Sequence, residues 1–409
     1  MGLIVMKFGG TSVATPELIN RVARRAASVK RGGDDVVVVL SAMGDTTDEL
    51  EGLAAKITSE PDEREMAVLM ITGERISAAL LAMALNDMGH PAMSFTGWQA
   101  GFYTDSLSPL RSKISKMDPV RVRSALADGK IAVVTGYQGI NESGDETALG
   151  RGGSDLSAVA LACALGADAC EIYTDVDGIY TADPRVVPNA RKIPTISNDE
   201  MLEYASSGAR VMQPRSVEYA KKHGTVIHVR SSFSEATGTI IREANDMMES
   251  VLVRGVAHDT SEAKVTLRGV PDKPGIAAKV FMRIAEENIN VDMIVQNVSK
   301  EGLTDLSFTV PRPDLRKTMN TCLLLQRDLG AEEIIYDEDI AKISIVGIGM
   351  RSHSGVAAKM FRTLAEHNVN IEMISTSEIK VSCIVRESQV EEAVRFLHDA
   401  FELDIEEEG

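Results

Sequence analysis

The sequence predicts an α/β protein in two parts: a mainly parallel sheet covered by helices on both faces, followed by two ferredoxin-like βαββαβ units. Three observations carry this. Up to about Arg242, short apolar runs alternate with segments of helical period, as in sheets whose parallel strands are joined by helical crossovers. Behind a polar, Met-containing stretch at 243–250 the pattern changes to shorter units. Residues 275–294 then recur as 355–374 at a constant offset of 80, with eleven of twenty positions identical. Two copies are too few for a solenoid and read as a paired domain.

In the first part, strands are expected over 3–6, 36–41, 92–95, 131–135, 170–174 and 226–230. Helices are expected over 18–30, 63–86, 119–127, 155–164 and 218–223, where apolar residues recur at three- and four-residue spacing. Ligands of such sheets bind outside the carboxyl ends of the strands, which here run into the polar turns after Ser41, Gly136 and Thr174. The first repeat reads strand 264–269, helix 275–287, strand 291–297, strand 304–310, helix 313–329, strand 332–337. The second reads 343–347, 355–367, 370–377, 379–386 and 389–401, one strand short, and a strand at 251–257 is expected to complete it. The domains are therefore expected at 1–245, 264–340 and 341–409.

A chain of 409 residues with 44% apolar and 25% charged residues has the composition of a multidomain globular protein. Its net charge of −17 argues against a nucleic acid or an anionic membrane as partner. Four cysteines without CxxC spacing read as reduced thiols, and no metal site is expected. With no signal peptide and no apolar run of membrane-spanning length, the expected location is cytoplasmic.

Two segments carry anion chemistry. In Lys7-Phe8-Gly9-Gly10-Thr11-Ser12 two glycines at a strand end free backbone N–H groups to face an anion, and Lys7 adds a full charge. The helix beginning near Pro16 is expected to add its positive end. The Lys precedes the glycines, unlike the common phosphate loop, so a different nucleotide-binding fold is required. In Gly150-Arg151-Gly152-Gly153-Ser154-Asp155, Ser154 is the expected N-cap and Arg151 can fork onto a carboxylate or phosphate.

These segments, with Ser41-Ala-Met-Gly44, Thr72-Gly-Glu-Arg75, Ser94-Phe-Thr-Gly97, Thr174-Asp-Val-Asp-Gly178 and Asp183-Pro-Arg185, resemble the amino acid kinase superfamily, specifically its aspartate kinase branch. The repeat resembles the tandem ACT pair that follows the kinase domain in that branch. The resemblance implies phosphoryl transfer from ATP, with Mg²⁺, to the β-carboxylate of L-aspartate, opening lysine, threonine and methionine biosynthesis. It implies Lys7 and Asp155 as catalytic residues. Lys7, Phe8, Gly9, Gly10, Ser12, Ser41, Thr174, Asp175, Tyr180, Asp183, Arg185 and Arg210 are implied on the ATP side, Arg210 standing where the family usually has Lys. Ser41, Thr47, Glu74, Arg151, Gly152, Gly153 and Ser154 are implied for the substrate, with Arg151 taking its α-carboxylate and Glu74 its ammonium. Rival kinases of the same fold, for acetylglutamate or glutamate, lack the ACT pair; a silent amino-acid sensor would not need intact Lys7, Glu74, Arg151 and Asp155.

The resemblance also implies feedback by threonine, lysine or both, at interfaces between ACT units of two chains in a dimer or tetramer. One effector site would use Asp272, Gly275, Ile276, Ala277, Asn290, Val291, Asp292, Gln296 and Asn297, with threonine the first choice. The other would use Ser354, Gly355, Val356, Asn370, Ile371, Ser377 and Glu378, with lysine the first choice, although some relatives carry Thr where this chain has Ala357. Met247 and Met248 offer an internal start for a small regulatory subunit.

Overall fold

The computed structural model describes residues 2–209, 211–245, 251–297, 302–351 and 353–405. Two compact units divide the chain: Met1–Ile179, Lys192–Ala205 and Arg210–Met248 form the first, and Tyr180–Arg191, Ser206–Ala209 and Glu249–Gly409 the second. Two short excursions from the first 245 residues thus belong to the second unit. Met247 and Met248 lie outside the described residues.

The first unit is built on an eight-stranded sheet. Its strands are β1 (Leu3–Phe8), β2 (Asp35–Leu40), β3 (Ala92–Phe95), β6 (Ile131–Thr135), β9 (Ala169–Thr174), β10 (Thr195–Ser197), β11 (Ile227–Ser231) and β12 (Thr239–Arg242), in the order β10-β12-β11-β9-β1-β2-β6-β3. All neighbours run parallel except β11 and β12. The central strands are unbroken apolar runs, Val36 to Leu40 and Ile131 to Val134, because both faces are covered. Strand alternation sends Met6 and Phe8 into the core beneath α1 (Pro16–Arg31), α3 (Glu63–Met70) being followed on that side by α4 (Thr72–Asp87). Lys7 faces the other way, toward α6 (Gly153–Leu165).

Several expectations change. Lys7 and Phe8 are the last residues of β1 rather than part of a loop, and Gly10–Val13 makes a 3₁₀ turn. The 63–86 helix is two helices hinged at Ile71. The stretch Glu63–Asp87 is also long and apolar enough to cross a membrane by composition, contrary to the sequence reading; half of it is buried, as in a core helix. A second, four-stranded sheet escaped the sequence: β4 (Phe102–Thr104), β5 (Ile114–Met117), β7 (Gln138–Ile140) and β8 (Glu146–Ala148), ordered β5-β4-β7-β8. So did α2 (Thr46–Ala55) and α7 (Asn198–Ser206).

The second unit contains two four-stranded antiparallel sheets. One, β15-β16-β14-β17, comprises β14 (Glu262–Pro271), β15 (Ile294–Gln296), β16 (Leu303–Pro311) and β17 (Glu333–Asp337), packed by helices Ile276–Glu286 and Leu315–Leu329. The other, β13-β18-β20-β19, comprises β13 (Gly255–Asp259), β18 (Ile340–Val346), β19 (Met373–Thr376) and β20 (Lys380–Arg386), packed by helices Val356–Glu366 and Val390–Ala400. The strand expected at 251–257 starts at Gly255 and pairs antiparallel with β18. Ala182, Val186 and Val187 are buried in the core of this second sheet. Thr181 Oγ1 shares a 2.9 Å hydrogen bond with Nε2 of the fully buried His398, and Arg395 Nε donates to Val186 O at 2.9 Å. The free Cys170, Cys322 and Cys383 are buried, and Cys163 is half-buried.

Candidate active site

The carboxyl ends of β1, β2 and β6, with the first turn of α6, enclose a cavity of about 360 Å³ in the first unit. Lys7, Gly10, Ser41, Thr47, Glu74, Arg151, Gly152, Gly153, Ser154 and Asp155 all line it. The parallel sheet explains the convergence: strands running the same way end at the same edge, so loops separated by scores of residues meet there.

Lys7 Nζ pairs with Asp155 Oδ1 at 2.5 Å, with the two side chains 11% and 9% exposed. Asp155 stands in the first turn of α6, where the helix's positive end favours a carboxylate. The N-cap is Gly152, in the left-handed region at φ 72°, and not Ser154; a side chain there would collide with Gln213. The amides of this turn are accordingly left without a side-chain cap. Arg215 holds the loop from behind, donating to Leu149 O at 2.7 Å and Ser112 O at 3.1 Å. The helix at Pro16 does not reach the cavity: Thr15 caps it through Leu18 N, and α6 supplies the helix end instead.

Glu74 is buried in the first turn of α4. Its Oε1 accepts from Ala42 N at 3.3 Å while its buried Oε2 has no hydrogen-bond partner. Burial outweighs that amide and pushes the carboxyl up to about 7. Close approach requires Gly73, where a Cβ would lie 2.8 Å from Ala42 Cβ. An unpaired buried carboxylate oxygen facing a cavity is a receptor for a cationic donor.

The remaining nucleotide-side residues are spread more widely. Gly9 N donates to Tyr173 O at 3.3 Å, and a Cβ at Gly10 would press on Ala42 O and Gly44 O at 3.0 and 3.1 Å. Phe8 is buried, stacked on Tyr173 with centroids 4.5 Å apart, so its side chain serves the core. Ser12 is likewise buried, its hydroxyl 2.6 Å from that of Ser232. Thr174 and Asp175 cap β9, linked by a 3.0 Å hydrogen bond, and Thr174 O accepts from Ser232 N at 2.8 Å. Tyr180, Asp183 and Arg185, read as one loop with them, belong instead to the second unit. There Arg185 binds Asp183 at 2.6 Å and holds its carboxyl below the usual range. Arg210 lies outside the described residues. Sequence reading gave no role to Tyr137, Met212 or Gln213, which also line the cavity. Tyr137 follows a strand end flagged as a site loop, which was the available signal.

Among the described residues no three His, Cys, Asp or Glu side chains cluster to cage a metal. The cavity offers Asp155 and hydroxyls, a donor set that fits Mg²⁺ carried mainly by nucleotide phosphates.

In the second unit, Gly275 (φ 91°) and Gly355 (φ 95°) occupy equivalent N-caps, each leaving a helix start without a side-chain cap. Ile276, Ala277 and Val356 open those helices, with Asp272 and Ser354 before them. Asn290, Val291, Gln296 and Asn297 lie on or beside edge strand β15, and Asn370, Ile371 and Ser377 on or beside edge strand β19. Several candidates are already engaged: Asp292 with Lys342, Glu378 with Arg351 at 3.2 Å, and Ser377, whose Oγ accepts from Ile379 N at 3.4 Å. Lys342 overcomes the burial that would raise the Asp292 carboxyl and holds it low.

Residues 2–231 match the amino acid kinase family, and 265–321 and 343–401 each match an ACT domain. The aspartokinase of Mycolicibacterium smegmatis is 50% identical over 414 residues, covering 100% of this chain and 98% of that protein. Two crystal structures of E. coli aspartokinase III are each 26% identical. The complex with aspartate and ADP (R-state) aligns with a TM-score of 0.80 over 97% of this chain and 99% of that one. The complex with lysine and aspartate (T-state) gives 0.74 over 98% and 99%. The family match over residues 2–231, the two ACT matches and the full-length similarity converge: this chain belongs to the amino acid kinase family, in its aspartokinase branch, and is a phosphotransferase.

Proposed function

We propose that this enzyme transfers the γ-phosphoryl group of MgATP to the β-carboxylate of L-aspartate, giving 4-phospho-L-aspartate and ADP. The observation that carries this is the gathering of Lys7, Asp155, Glu74 and Arg151 around one cavity. A β-carboxylate oxygen forms the new P–O bond as the bond to the β,γ-bridging oxygen breaks, and ADP leaves with that electron pair. No general base is required, because the ionised carboxylate has no proton to lose. Two anions must approach, so the protein's task is positioning and neutralisation.

Lys7 meets the transferring phosphoryl, aided by the Gly10 amide, the Gly9 amide being turned to Tyr173 O, while Asp155 fixes the Lys7 ammonium at 2.5 Å. Arg151 forks onto the α-carboxylate and Glu74 Oε2 accepts from the α-ammonium, with Ser41, Thr47 and the amides of Gly152 and Ser154 completing the acceptor site beside Gly153, whose own amide donates to Gly150 O at 2.9 Å. Thr174 and Asp175 serve the nucleotide at the end of β9. Mg²⁺, when bound, neutralises phosphate charge. Binding of threonine or lysine at the helix starts after Gly275 and Gly355, in a dimer or tetramer built through the ACT units, makes the enzyme a feedback-controlled entry to lysine, threonine and methionine synthesis.

Trapping with hydroxylamine tests the reaction directly. Incubation with MgATP and L-aspartate is expected to yield aspartyl hydroxamate in proportion to ADP; ADP release without hydroxamate excludes an acyl phosphate product.

A further inference from the structure

Tyr137 is held in the left-handed region at φ 69°. The other described non-glycine residues with positive φ are Asn288, Asn368 and Glu402. The two asparagines follow helix ends, where that conformation is a normal cap and Asn tolerates it. An aromatic residue has no such excuse, and a strained backbone persists only where its surroundings enforce it. Here they do. Tyr137 N donates to Ser157 Oγ at 3.1 Å, Ser157 Oγ donates to Gly153 O at 2.9 Å, and Tyr137 O accepts from Leu149 N at 2.7 Å. One residue earlier, Gly136 N donates to Leu40 O at 2.9 Å. The backbone is tied on both sides, so the side chain leaves the line of β6 and enters the wall of the cavity.

Glycine would adopt this conformation without strain. The ring must therefore contribute something that offsets its backbone cost. It packs on the start of α6, where a Cβ on Gly153 would lie 3.0 Å from Tyr137 Cδ2. Burial pushes its phenol up to about 12, with the carboxylates of Glu74 and Glu51 adding to the rise and Arg151 opposing it. The hydroxyl is thus a neutral group on a cavity whose lining also includes Glu74 and Arg151, the side chains assigned to the acceptor's ammonium and α-carboxylate.

We propose that Tyr137 is a positioning residue for the acceptor: its ring, held against Gly153, forms part of the wall of the cavity that Glu74 and Arg151 also line, and sets the length of amino dicarboxylate the cavity accepts. This rests on the acceptor assignment made under the proposed function. The test compares Tyr137→Gly and Tyr137→Phe with wild type in the full chain, reading melting temperature, KM for L-aspartate and for MgATP, and turnover with L-glutamate. Tyr137→Gly relieves the backbone but removes a ring packed against Ala67, Ile71 and Ala148, so it is expected to melt lower than wild type. Assayed below its melting temperature, it is expected to raise the L-aspartate KM by about tenfold or more, to leave the MgATP KM within about twofold, and to raise the L-glutamate to L-aspartate ratio of kcat/KM. Tyr137→Phe, which keeps the ring, is expected to recover most of the lost affinity. An unchanged L-aspartate KM in Tyr137→Gly, an equal rise for both substrates, or a Tyr137→Phe variant no better than Tyr137→Gly overturns the role; if Tyr137→Gly fails to fold, Tyr137→Leu, which removes the ring but keeps apolar volume, is read against the same outcomes. Wild type without L-aspartate turnover overturns the acceptor assignment itself, a separately readable result.

Discussion

Glu74 concentrates the acceptor chemistry in one side chain. Its buried carboxyl, one oxygen on Ala42 N and the other unpaired, titrates near 7, above the usual value of 4.5. A carboxyl whose folded pKa exceeds its unfolded value binds protons more tightly in the native state, so it lowers stability as pH rises from about 4.5 to about 7. The same rise creates the charge that attracts an ammonium. The kcat/KM for L-aspartate is therefore expected to climb through an inflection near pH 7. Glu74→Gln should flatten that profile, lower kcat/KM by about 100-fold and melt higher at neutral pH. A profile still inflecting near 7 in Glu74→Gln contradicts this role. The residue was legible in the sequence through its Thr72-Gly73 setting; its raised pKa was not, because burial under Ala42 depends on the hinge at Ile71, which an uninterrupted apolar period conceals.

Elements were legible where their own periodicity announced them. Six strands of the large sheet and the elements of both repeats are written in apolar runs long enough to read, whereas the short β10 and β12 at its edge were not. Strands of three or four residues, such as Gln138–Ile140 and Glu146–Ala148, carry too little alternation, and α2 buries no residue and so presents no apolar stripe. Lys342 shows a further limit. A lysine in a strand reads as solvent-facing, yet on β18 it is 1% exposed, bound to Glu262 of β14 at 2.5 Å, to Asp292, and to Ser206 O at 3.2 Å. Its carboxylate partners are 80 and 50 residues away in sequence. It joins the two ACT sheets, and removing one member of a buried ionic cluster strands the others. Lys342→Ala is expected to cost about 3–5 kcal/mol in urea unfolding; a loss under about 1 kcal/mol contradicts that cluster's importance.

Across the whole molecule, the chain from Thr174 to Arg185 passes from the end of β9 into the core that helix Val390–Ala400 helps to form. Sequence motifs had read it as one nucleotide loop, since linear order does not reveal which core an apolar residue such as Val186 will enter. Threonine and lysine, titrated singly and together, are expected to lower aspartate-dependent activity, and indifference to both removes the feedback reading. Phosphoryl transfer to L-aspartate precedes any feedback and is measured directly. ADP release is measured in parallel with L-aspartate, L-glutamate and N-acetyl-L-glutamate as acceptors, using wild type and Lys7→Ala. Turnover with L-aspartate that far exceeds the other two and vanishes in Lys7→Ala is the expected result; no L-aspartate-dependent ADP release from the wild type would contradict the account.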